Sequence, residues 1–226
     1  MALIFITHPE VEIDPAVPVP RWRLSDRGVA RMRAFVASDA VASVSAVWAS
    51  TETKAIEAAG LLAARHGLPV QVRADLGEND RSATGFVPPE EFERLADAFF
   101  ARPDESVRGW ETAAAAQARI VAATTEIMAA HSDPGDIALV AHGGVGTLLL
   151  CHLMGAPIAR AHDQPHQGCW WRYAPESGAP PEGWGSIGSP AEQVARIGFL
   201  SDKVAAPADF SQMGDAEIAP MFDGEP

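Results

Sequence analysis

Residues 137–155 read IALVAHGGVGTLLLCHLMG, and the way this stretch is divided decides the fold. Taken whole, it approaches the roughly 20 apolar residues that a membrane-spanning helix needs. His142, His152 and the glycines at 143, 144 and 146 speak against that division. A polar ring and a glycine cluster suit a protein interior and a turn better than lipid. The stretch divides instead into a short buried strand, IALVAH, a turn at the glycines, and a helix, GVGTLLLCHLMG.

The same alternation extends outward in both directions. Residues 2–7 form another short apolar run, followed by SDRGVARMRAFVASD, a helical pattern with Ser25 as its N-cap. VSAVWAS is a second strand, and TKAIEAAGLLAARHG a helix ending at Gly67, where a left-handed cap is expected. PVQVRADL is a third strand candidate. From residue 79 to 106 the pattern breaks into turn-rich sequence and a short amphipathic helix, EEFERLADAFFARPD, with Phe92, Leu95 and Phe99 on one side. This segment reads as an insertion over the active-site edge of the sheet. A long helix is expected over residues 105–131, then a turn, SDPGD, into IALVAH. GCWWRY is the last strand, with Trp170 and Trp171 pointing to opposite faces, one to the core and one to a helix or pocket. SPAEQVARIGFLSD is a short helix, and residues 205–226 form an acidic surface tail after a single domain over 1–204. The expected architecture is a three-layer α/β/α sandwich with a mostly parallel central sheet.

Composition narrows the function. At 226 residues and 47% hydrophobic content the chain can bury one substantial core, and its net charge of -13 disfavours nucleic acid as a partner. Its two cysteines, Cys151 and Cys169, do not make a disulfide scaffold, and the N-terminus does not read as a signal peptide. The expectation is a cytoplasmic protein without a membrane partner. In parallel sheets, ligands bind beyond the carboxyl ends of the strands. Both His8 and His142 stand at such ends. After His142, Gly143 and Gly144 allow close approach to the backbone, and a helix N-terminus offers free N–H groups to an anion. Two histidines beside an anion site indicate phosphate chemistry.

At this point the chain resembles the histidine phosphatase superfamily, with its phosphoglycerate-mutase-like fold, from about residue 3 to residue 173. The family's first strand ends in Arg-His-Gly, whose histidine becomes phosphorylated; ITHPE keeps that histidine as His8. LSDRGVARM is similar to the family's Leu-Thr-x-x-Gly helix start. The family's Ser-x-x-x-Arg, whose arginine clamps phosphate, falls on Ser50 and Lys54 of ASTETKAIEAA. DLGEND resembles the segment that supplies a carboxylic acid, here Glu78, and VAHGGV is similar to the second histidine motif, here His142. The resemblance implies a metal-independent and cofactor-free phosphohydrolase acting on a small phosphate ester. In it His8 is the nucleophile, His142 donates to the phosphoryl oxygens, and Glu78 serves as general acid and base. Thr7, Lys54 and Gly143 would hold phosphate, and His166 and Gln167 would line the rim.

The departures are local and chemical. Thr7 replaces a guanidinium fork with one hydroxyl, Pro9 removes an N–H, and Lys54 keeps charge but loses the planar fork. Arg21, Arg23 or Arg81, in loops that the topology sends to the same edge, would restore the missing charge. The rival expectation is a catalytically impaired relative that binds an anionic or phosphorylated ligand, or a partner protein, in the same cleft. HDQPHQGC could also suggest metal ligation through His162, His166 and Cys169 with Asp163 nearby, but no second cluster of that type supports it.

Overall fold

A computed structural model describes residues 1–188. The expected helix SPAEQVARIGFLSD and the expected tail, with the domain boundary between them, lie outside these residues. One sheet is formed by Leu3–Thr7 (β1), Val44–Ser50 (β2), Val70–Arg73 (β3), Asp136–Ala141 (β4), Cys169–Tyr173 (β5) and Gly185–Ser186 (β6). Their spatial order is β3-β2-β4-β1-β5-β6. The first four run parallel, while β5 and β6 run antiparallel to their neighbours.

Among the described residues five α-helices cover the sheet: Asp26–Val36 (α1), Thr53–His66 (α2), Pro89–Ala101 (α3), Ala113–Ala130 (α4) and Gly143–Leu153 (α5). Strand parity sorts them into layers. Leu3, Phe5, Ile137 and Leu139 pack with Phe99, Ile120, Ile127 and Leu148 of α3, α4 and α5. Ile4, Ile6, Ala138 and Val140 pack with Met32, Phe35, Ala58 and Leu62 of α1 and α2. Because alternate residues of β1 and β4 feed opposite cores, residues 3–6 and 137–141 are all apolar, as the sequence shows. Trp171 stacks on Phe5 with ring centroids 5.0 Å apart, and Trp170 tilts against Phe35 of α1 at 5.5 Å. Among the described residues no helix is long and apolar enough to cross a membrane.

Two elements differ from expectation. The long helix starts at Ala113, not at residue 105, because Arg108 and Gly109 take positive φ values of 50° and 83° and turn the chain. That turn sends Trp110 into the core, and Thr112 then caps α4 by accepting from the Ala115 N–H. The two-residue strand β6 escaped notice, being too short to carry a pattern.

Candidate active site

Parallel pairing in register delivers both histidines to one place. Thr7 of β1 lies opposite Ala141 of β4, so His8 and His142 follow at equivalent positions beyond the two strand ends. Their ring centroids are 5.3 Å apart, edge to face. The His8 backbone is fixed from both sides: its N–H donates to the Ala141 carbonyl at 3.1 Å, and its carbonyl accepts from the Gly168 N–H at 3.1 Å. The ring is fixed as well, with Nδ1 2.9 Å from the carbonyl oxygen of Pro9. A carbonyl only accepts, so Nδ1 carries the proton and Nε2 keeps its lone pair. Burial, with the neighbouring His142 and Lys54, pushes the His8 pKa down to about 3. The ring is therefore neutral at any ordinary pH.

His142 is 1% exposed, and its Nε2 lies 2.7 Å from Ser50 Oγ and 3.3 Å from Glu52 Oε1. Among the described residues its buried Nδ1 has no partner. Burial lowers its pKa, against an opposing pull from Glu52 and Glu78. Lys54, in the first turn of α2, is buried, not a solvated helix lysine. Its Nζ donates to Glu52 Oε2 at 2.5 Å and to the Val19 carbonyl at 2.9 Å. Glu52 also accepts from the Glu78 N–H at 3.2 Å. Burial raises the Glu52 pKa, but His142, Lys54 and these hydrogen bonds outweigh it and hold the carboxyl at about 2. No sequence motif marks Glu52. The only signal available was an acid two residues before the cation.

Glu78 reaches the N-terminus of α5. Its carboxylate accepts from Gly144 N at 3.1 Å, Val145 N at 3.0 Å and Asn79 N at 3.1 Å. A Cβ on Gly144 would come within 2.6 Å of Glu78 Oε1, which explains the glycine. Two N–H groups of the first turn of α5, those of Gly144 and Val145, are thus engaged by a carboxylate of the chain itself, as the positive end of a helix favours.

Of the other expected phosphate contacts, Thr7 has its hydroxyl engaged between neighbouring segments. Its buried hydroxyl accepts from Cys169 N at 2.9 Å and lies 2.7 Å from Gln164 Oε1 and 3.2 Å from the Cys169 carbonyl, so it ties β1 to β5. Gln164 carries the contact onward, for its Nε2 lies against Gly143 where a Cβ would otherwise stand. His166 and Gln167 are the expected rim residues. Both are exposed, with the His166 ring against the Gln167 carbonyl and that carbonyl accepting from Arg31, and Gln164 is the loop residue that reaches the glycine turn. Among the arginines, Arg23 pairs with Glu12, and exposed Arg21 makes no side-chain hydrogen bond or ion pair among the described residues. Arg81 lies over Phe92 and Trp110, 5.1 and 5.6 Å from their ring centres, and its charge reaches His142.

Comparisons with known proteins bear on the family and the fold. A family model described as histidine phosphatase superfamily (branch 1) matches residues 12–180, a span that begins beyond His8. No curated protein matches the chain. A mycobacterial glucosyl-3-phosphoglycerate phosphatase structure is similar at 21% identity and a TM-score of 0.65, covering 76% of this chain and 89% of that one. A mycobacterial hydrolase is similar at 19% identity and a TM-score of 0.66, covering 90% of this chain and 98% of the other. The alpha-ribazole phosphatase of Shigella flexneri is similar at 20% identity and a TM-score of 0.56, with 76% and 89% covered. At these identities the likeness is one of fold.

Proposed function

Because the chain belongs to the histidine phosphatase superfamily, we propose that it hydrolyses a small phosphate ester through a phosphohistidine at His8. The observation that carries this reading is the His8 tautomer, with Nδ1–H held by the Pro9 carbonyl and Nε2 left as a neutral nucleophile. In the first step the Nε2 lone pair attacks phosphorus, the P–O ester bond breaks, and the leaving oxygen takes the proton that a singly protonated ester brings, relayed by the Glu78 carboxylate. Water then attacks the phosphoryl group, its proton passes to Glu78, and the P–N bond breaks to release inorganic phosphate. His142, Lys54 and Arg81 would stabilise charge on the phosphoryl oxygens. No residue of this scheme calls for a metal or a cofactor. The phosphatases among the structural relatives support hydrolysis. Both cysteines are buried and free, which supports a reducing compartment such as the cytoplasm.

The test is turnover across a panel of phosphate esters that includes p-nitrophenyl phosphate. We expect His8→Ala to lower kcat/KM by on the order of a thousandfold or more, as loss of a nucleophile does. Equal hydrolysis by the variant would end the proposal. A second reading, a non-catalytic relative that binds an anionic ligand or a partner protein, is favoured by one observation. Glu52 and Glu78 already engage the donors that phosphate needs. No hydrolysis by the wild type, together with saturable binding of inorganic phosphate, would select it.

A further inference from the structure

We propose that Glu52 is a specificity-determining residue, which makes the site select singly charged phosphoryl groups, as in a phosphodiester, over dianions. This rests on the placement of the phosphoryl site between His8 and His142.

A phosphate dianion needs several hydrogen-bond donors with net positive charge around it. In this chain the buried Lys54 ammonium spends two of its three N–H groups on Glu52 Oε2 and the Val19 carbonyl. His142 Nε2 faces Ser50 and Glu52, and the first turn of α5 donates to Glu78. The charged side chains around His142 are Lys54 and Arg81 on one side and Glu52 and Glu78 on the other. They cancel.

Glu52 is not a surface acid that swings aside. It is held by Lys54, by the Glu78 N–H and by His142, three contacts from separate parts of the chain. Its Oε2 and an incoming phosphoryl oxygen would compete for the same ammonium. In a partly buried site this repulsion grows with the charge of the anion, so a second negative charge at phosphorus is penalised far more than the first. Thr7 deepens the effect, because its hydroxyl serves β5 and brings no charge to the pocket.

The experiment uses the full chain near pH 8, with inorganic phosphate as the dianion and dimethyl phosphate as the monoanion. Binding is read from the NMR signals of the His8 and His142 rings, so no turnover is required. The wild type is expected to bind dimethyl phosphate at least as tightly as inorganic phosphate. Glu52→Gln, which keeps shape and removes charge, should tighten inorganic phosphate by about tenfold or more and change dimethyl phosphate by less than about threefold. Unchanged or weaker phosphate binding would overturn the proposal. Glu52→Leu removes the same charge should the first variant not fold. If neither folds, the wild type decides, since tighter binding of the dianion would itself contradict the claim. Hydrolysis fails separately: a wild type that never turns over, with Glu52→Gln gaining phosphate affinity, removes the hydrolase reading and leaves this one. A hydrolase whose phosphate affinity ignores Glu52→Gln does the reverse.

Discussion

Proline beside a nucleophile looks like a loss, since it takes away one backbone N–H that could meet an anion. The carbonyl of Pro9 offsets it by fixing the His8 proton on Nδ1, 2.9 Å away. Because the His8 pKa falls to about 3 from an ordinary 6.5, protonation of this ring will not limit activity between about pH 5 and 8. An NMR titration of the ring should find its midpoint well below 5, and a midpoint near 6.5 would contradict the buried geometry. Stability follows with a definite sign. The unfolded chain binds a proton at His8 more readily than the folded one, so the stabilisation is complete above the unfolded value of 6.5. It is lost progressively as pH falls from 6.5 toward about 3, and urea unfolding at pH 7 and pH 4.5 should show it as a lower midpoint at pH 4.5. His8, His142 and Lys54 could all be found by residue type and position. Glu52 could not, because nothing local in Thr51-Glu52-Thr53 says that its carboxylate turns toward buried cations instead of solvent.

Elements are positioned by a few close approaches. α1 begins where Ser25 accepts from the Gly28 N–H, and a Cβ on Gly28 would collide with the Glu10 carbonyl oxygen. Gly28→Ala is therefore expected to destabilise the fold by about 1–3 kcal/mol, read as a drop in Tm, and an unchanged Tm would show that the segment after β1 can yield. α5 is set by Gly144 against Glu78. Gly144→Ala should displace Glu78 from the helix N–H groups and reduce kcat far more than it reduces Tm, whereas equal losses would mean that Gly144 serves packing alone. The strand and helix order was legible because buried strands and amphipathic helices have different periods. The start of α4 was not: two consecutive residues with positive φ, one of them Arg108, leave no mark on a pattern that reads as helix from residue 105. Gln164 was missed for a similar reason, because its role depends on Thr7 reaching across from β1.

Across the whole molecule, a formal charge of -13 sets the approach of any anion. The ligand must come against the field, toward a site whose own charges balance. Raising the salt from about 10 to 150 mM should therefore increase kcat/KM for an anionic ester through screening; a steep fall would indicate positive steering that this charge balance does not provide. The layered fold was legible from the stretch 137–155 and its counterpart at 2–7, since two apolar runs ending in histidine define one sheet edge. The balance of charge inside the pocket was not, because it depends on which acids fold inward. The central claim is that His8 Nε2 becomes covalently phosphorylated, and rapid quenching with a 32P-labelled phosphate ester tests it most directly. Acid-labile, base-stable label is expected on the wild-type chain and none on His8→Ala; label that persists in His8→Ala, or turnover of the wild type with no label trapped, would rule the phosphohistidine out.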